Sequence, residues 1–292
     1  METEGPLVGK ELLRKVDAEE FYLWSLCSKS EQIVTKKIGT RYLRFDRQVE
    51  GYARLSPSIM REFSSYTVIG AAKDEQTVAR RAEILDSEIK EISRKKFALA
   101  QDVAKKLVDS SVEAGVLSER ACFIIAGDIV YGMAHAEPRP ESSTGKLVKG
   151  SDLDLIIVGD KLPQETLYNL DKSIYSEKYN LLMNPAFKEE IDYIIKDMAV
   201  VHEQLLFNDF KSMVASKILC EGKFLYGNRR IFDCIKKMLI DFEIPDKIAN
   251  LEILAINNRK MAELSLLQVA ASVRREEFMS LFYTTEEKEE IF

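Results

Sequence analysis

The chain of 292 residues sets 42 Lys+Arg against 48 Asp+Glu, a formal net charge of −6, and is 46% hydrophobic. That is enough apolar material for one large core or two ordinary ones, and it excludes a disordered, collagen-like or disulfide-framework chain. The mild acidity also argues against a chain-wide nucleic-acid coat.

The four cysteines (Cys27, Cys122, Cys220, Cys234) form no C-x-x-C pair, and His135 and His202 do not cluster, so no zinc site is expected. Isolated cysteines suit a reducing compartment. The N-terminus lacks a signal layout, and no apolar run approaches the ~20 residues of a membrane span. The expectation is a cytoplasmic protein with no membrane partner.

Residues 1–118 read as a helical N-terminal region. Glu11 to Leu26 predicts one helix, with Leu12, Leu13, Val16, Phe21, Leu23 and Trp24 as apolar surface. Residues 36–47 interleave Lys36, Lys37, Arg41, Arg44 and Arg47 with Tyr42 and Phe45. They read as a solvated face or, alternatively, as a grip on nucleic acid. Over 74–113, Val78, Leu85, Ile89, Ile92, Leu99, Val103 and Leu107 recur at helical spacing. A helix of that length is a spine, or a surface for a partner or dimer.

Residues 119–228 change texture. Ala121–Ala126 is a short apolar run that ends in Gly127-Asp128, and Met133 to Gly150 has loop composition. Asp152 to Val158 predicts a buried strand, and Ile191 to Ile195 a second. Amphipathic Phe210–Cys220 stops near Gly222, followed by a short strand at Lys223–Gly227. Residues 229–292 form a helical C-terminal region, with helices expected at 230–241, 245–262 and 264–283.

Asp152 and Asp154 lie two apart, so a strand projects both to one face. Two charges at one end of a buried strand are costly unless something offsets them. A divalent cation is the natural offset, since hard oxygen ligands suit Mg²⁺. Asp192, on the second strand, completes the expected set. Two such ions, about 3.5–4 Å apart, clamp the attacking and leaving oxygens of an in-line phosphoryl displacement. In that scheme Asp152 and Asp154 bridge both ions, while Asp192 serves the ion near the acceptor hydroxyl and helps deprotonate it.

Gly127-Asp128-Ile129-Val130-Tyr131-Gly132, followed by Gly150-Ser151-Asp152-Leu153-Asp154-Leu155-Ile156-Ile157-Val158, resembles the DNA polymerase β-like nucleotidyltransferase superfamily. Its members carry Gly-Ser at a helix start, an Asp-x-Asp/Glu strand and a third carboxylate on another strand. Lys217 to Gly227 looks like the helix-turn-strand that closes its small members. The likeness covers about 119–228, with Asp128 standing where the family has serine and a longer gap between Gly127 and Asp152.

The resemblance implies an α/β (α+β) nucleotidyltransferase core with a short mixed sheet, flanked by helical regions. It implies Mg²⁺ held by Asp152, Asp154 and Asp192, and a nucleoside triphosphate such as ATP contacted by Gly127, Asp128, Ser151 and Lys217. Asp128 is expected as the helix N-cap, with Arg139, Lys146 and Lys149 as auxiliary phosphate contacts and His135 exposed. The acceptor stays open among a protein, a nucleic acid, a second nucleotide and a small molecule. The alternatives are a catalytically degenerate binding or regulatory protein of that fold, and a nucleic-acid-binding protein.

Overall fold

The computed structural model describes residues 5–141, 143–268 and 282–283. The chain divides into two compact units: Met1–Ile89 with Asn250–Phe292, and Lys90–Ala249.

The first unit runs β1 (Leu7–Val8), α1 (Gly9–Lys15), α2 (Glu20–Lys29), β2 (Ile33–Lys37), β3 (Tyr42–Phe45), β4 (Ala53–Ser56), α3 (Ile59–Tyr66) and β5 (Thr67–Ala71). β5 lies between β1 and β2 in an antiparallel sheet, and β3 and β4 form a separate ribbon. The region expected to be mostly helical therefore holds five strands. Strands of two to five residues are too short for alternation to register as a pattern. The single helix expected over Glu11–Leu26 is two, because Val16 and Glu19 are extended. No Gly or Pro marks that break.

A network of charges ties this unit together. Glu62, 5% exposed, accepts from Lys37 Nζ at 2.7 Å, Arg41 Nε at 2.6 Å and Arg259 Nη2 at 3.2 Å. Arg259 also donates to Pro57 O at 2.8 Å and to Glu263 at 2.7 Å. Two cations of the 36–47 stretch, Lys37 and Arg41, are thus structural as well, while Lys36, Lys37, Arg41, Arg44 and Arg47 all lie exposed, as a solvated face requires.

α4 (Glu75–Asp109) follows, 35 residues long. Of the stripe expected as a spine or seam, Val78, Leu85, Ile89, Val103 and Leu107 are buried within the chain, and Ile92 and Leu99 are partly buried.

The second unit continues with α5 (Ala114–Arg120), β6 (Ala121–Ile125), α6 (Asp128–Tyr131), β7 (Pro138–Pro140), β8 (Leu147–Lys149), β9 (Leu153–Gly159), α7 (Gln164–Met183), β10 (Ile191–Asp197), α8 (Met198–Gln204), α9 (Phe210–Glu221), β11 (Lys223–Gly227), α10 (Arg229–Asp241) and the start of α11 (Ile244–Gln268). Its sheet has the order β10-β9-β6-β11, with β9 and β10 parallel and the other pairs antiparallel. The chain is mixed α/β, with a short mixed sheet in this unit. A parallel pair needs a long crossover, and α7 supplies it.

Alternation sorts the strands between two faces. Phe123, Ile125, Leu153, Leu155 and Ile157 pack with Ala100, Val103 and Ala104 of α4 and Leu170 and Ile174 of α7. Cys122, Ile124, Ile156 and Val158 pack with Val201 of α8, Leu219 of α9 and Phe232, Ile235 and Leu239 of α10. The expected loop over 133–150 contains the β7–β8 hairpin. The helix expected over 264–283 is in part the end of α11, and residues 269–281 lie outside the described residues.

Burial raises the Glu62 carboxyl, but the hydrogen bond from Arg41 and the charges of Arg259, Lys37 and Arg41 override it and hold the pKa at about 2, against an ordinary 4.5. A carboxyl depressed on folding stabilises above its unfolded pKa and loses that contribution as pH falls through its folded one. We expect Glu62→Gln to remove about 3 kcal/mol at pH 7. In urea titrations the difference from the unsubstituted chain should shrink between pH 4.5 and 2; a constant gap across that window would contradict the assignment.

Candidate functional site

Asp154 is the second residue of β9 and Asp192 the second of β10, and the parallel register sets them side by side. Neighbouring strands lie ~4.8 Å apart, so the two carboxylates leave the same edge of the sheet. Asp152 precedes β9 by one residue and continues the alternation that sends Leu153 and Leu155 into the opposite core. Asp152 is 26% exposed at its side chain and Asp192 59%. The structure thus brings all three predicted acids to one end of adjacent strands.

Gly127 closes this edge from β6. Its backbone has φ +74°, and a Cβ there would stand 2.0 Å from Asp154 Oδ2. Only glycine permits both the left-handed turn and the carboxylate lying on its Cα. Gly127, not Asp128, is the N-cap of α6. Asp128 Oδ2 instead accepts a hydrogen bond from Ser151 Oγ at 3.0 Å, and Ser151 Oγ accepts from His135 N at 3.2 Å. Asp128 and Ser151 therefore bind each other, and His135 is buried rather than exposed.

Lys217 does not face an open cleft. It pairs with Glu221 one turn along α9 and lies 5.4 Å from the Tyr131 ring centre. Glu221 also accepts from Gly127 N at 3.2 Å and from Tyr131 Oη at 2.5 Å. The donors expected to meet phosphate converge on this carboxylate. Glu221 is not among the site residues expected from the sequence, although its i, i+4 spacing from Lys217 is a visible signal.

Three cations serve the acidic edge. Arg139, on β7, donates from Nε to Gly150 O at 2.9 Å and from Nη2 to Glu190 at 2.9 Å, and it touches Asp152. Lys178, from α7, lies 3.3 Å from Asp192 Oδ1. Lys96, only 4% exposed, reaches from α4 to Lys149 O at 2.7 Å, Ser151 O at 2.8 Å and the Glu189 carboxylate. Burial pulls the Lys96 ammonium down against the opposing pull of Glu189. Burial likewise raises Glu189 and Glu190 despite their cations.

With Lys149 N bonded to Lys188 O at 2.8 Å and Leu153 N to Glu190 O at 2.9 Å, the segments leading into β9 and β10 are laced together. Of the auxiliary cations expected at phosphate, Lys146 bonds Met183 Sδ at 2.8 Å and Lys149 bonds Ala186 O at 2.9 Å.

Among the described residues, no three His, Cys, Asp or Glu side chains stand gathered as a metal-binding group. The donor chemistry nevertheless fits a hard divalent cation: three carboxylates at adjoining strand ends, two of them partly open to solvent.

Lys96→Met should cost roughly 3–5 kcal/mol in urea unfolding, because it strands Glu189 in the interior. Lys106→Ala, which removes the exposed pair with Glu177 at 2.7 Å, should cost under about 1 kcal/mol. Equal losses would refute the anchoring role of Lys96. Gly127→Ala should lower stability by more than about 1 kcal/mol, since its backbone conformation disfavours any Cβ.

No protein-family model matches the chain, and no curated protein matches it.

Proposed function

We propose that the chain is a metal-dependent nucleotidyltransferase. It moves a nucleoside monophosphate from a nucleoside triphosphate, ATP being the first to test, to an acceptor hydroxyl and releases pyrophosphate. The observation that carries this reading is the pairing of Asp154 with Asp192 across two parallel strands, with Asp152 alongside and the Gly127 turn pressed on Asp154. Carboxylates on adjacent strands after a glycine turn support this reading.

Asp152, Asp154 and Asp192 are the residues that would hold Mg²⁺, which when bound supplies positive charge opposite the phosphates. Asp192, the most exposed of the three, is the group that takes the acceptor's proton. The acceptor oxygen forms a bond to the α-phosphorus while the bond from that phosphorus to the bridging oxygen breaks, and pyrophosphate leaves with the electron pair.

A second reading has its own observation. Glu221 already binds the Gly127 N–H and Lys217, the donors a triphosphate needs, which favours a chain that keeps the fold without turnover.

Incubation with each labelled nucleoside triphosphate and Mg²⁺, across protein, nucleic-acid, nucleotide and small-molecule acceptors, separates the two. Pyrophosphate release that falls ~10²–10⁴-fold in Asp192→Asn and disappears in Asp152→Asn/Asp154→Asn supports the enzyme. Absence of release under every condition, with nucleotide binding retained, supports the binding protein.

A further inference from the structure

We infer that Arg139 is a resident counter-cation of the acidic site, one that competes with a divalent ion for Asp152. This rests on the reading that these carboxylates take such an ion. It adds a determinant within the chain of how readily the ion enters.

The side chain of Arg139 is 14% exposed, and its guanidinium is held at both ends. Nε donates to Gly150 O at 2.9 Å, and Nη2 bonds Glu190 at 2.9 Å while touching Asp152. A guanidinium stays charged at any physiological pH, and its flat fork loses little freedom in such a seat. Lys178 on Asp192 differs: the contact is 3.3 Å and the carboxylate is 59% exposed, so water and salt weaken it. Arg139 is therefore the cation that an incoming ion must displace.

The scaffold around Arg139 is braced separately. At the hairpin tip Glu141 accepts from the backbone and hydroxyl groups of Ser143 and Thr144. Lys149 Nζ bonds Ala186 O at 2.9 Å, and Lys96 holds Lys149 O and Ser151 O. Displacement of Arg139 thus requires rotation of one side chain, not movement of the hairpin, and the Asp152 segment keeps its anchor when Arg139 is replaced.

Mn²⁺ alone, without nucleotide, is the probe. Free Mn²⁺ is followed by electron paramagnetic resonance as the full chain is titrated at fixed ionic strength. Arg139→Gln should bind Mn²⁺ at least about tenfold more tightly than the unsubstituted chain. Adding Asp154→Asn should abolish the gain. Unchanged or weaker binding in Arg139→Gln, no binding by either chain, or a gain that survives Asp154→Asn would overturn the inference.

If Arg139→Gln fails to fold, the unsubstituted chain supplies the readout. The Nε–H nuclear resonance of Arg139, assigned through Arg139→Lys, should shift saturably with Mg²⁺, and an unmoved resonance would also overturn it. Tighter Mn²⁺ binding without pyrophosphate release would remove the proposed transfer reaction and leave this competition standing.

Discussion

The parallel pairing of β9 with β10 is the constraint from which the site follows. Asp154 meets Asp192 only in the register that also pairs Leu153 with Ile191 and Ile156 with Ile194. A slip of one residue would turn Leu153, Leu155 and Ile157 out of the core shared with α4 and α7 and drive acids into it. Apolar burial therefore holds the acids in place, and the acids themselves contribute nothing favourable to that choice.

Grouping carboxylates at a strand end raises the electrostatic cost of folding, and the second unit offsets it with cations from separate elements. Lys96 comes from α4, Arg139 from the β7–β8 hairpin and Lys178 from α7. The adjacent acids Glu189 and Glu190 are divided between Lys96 and Arg139, so one short segment is fastened twice. The first unit handles Glu62 by the same physics, with Lys37, Arg41 and Arg259 around one buried carboxylate. There the cations outnumber the acids they meet and the carboxyl is strongly acidified, whereas at Glu190 burial prevails and the carboxyl is raised. Depressed and raised carboxyls thus mark two regimes, a structural knot and a site edge.

The Gly127 turn shows how a local backbone requirement and a side-chain position become one feature. Its positive φ directs the chain from β6 into α6, and its missing Cβ leaves room for the Asp154 carboxylate. Glu221 then closes the turn from the other side through the Gly127 N–H, Tyr131 and Lys217. Two carboxylates, Glu221 from α9 and Asp154 from β9, thereby lie against a single glycine, with Lys217 pairing the first.

Apolar runs, helical spacing and glycine punctuation made much of the second unit legible. The runs over Asp152–Val158, before Gly127 and over Ile191–Ile195, the helical repeat of α4, and the Gly222 and Gly227 that bound β11 could be read directly. The acids were legible for the same reason, since two-residue spacing fixes a shared face whatever else the chain does. In the first unit, strands of two to five residues and a helix break without Gly or Pro left no such trace, so the helical reading of 1–118 did not include them. Only the tertiary structure decided that Asp192 lies beside Asp154, that Asp128 binds Ser151, that Lys217 turns to Glu221 and that Arg139 reaches Asp152. Each of these depends on contacts between elements far apart in sequence. Local spacing can specify a side chain's face but not the partner that the fold brings to it.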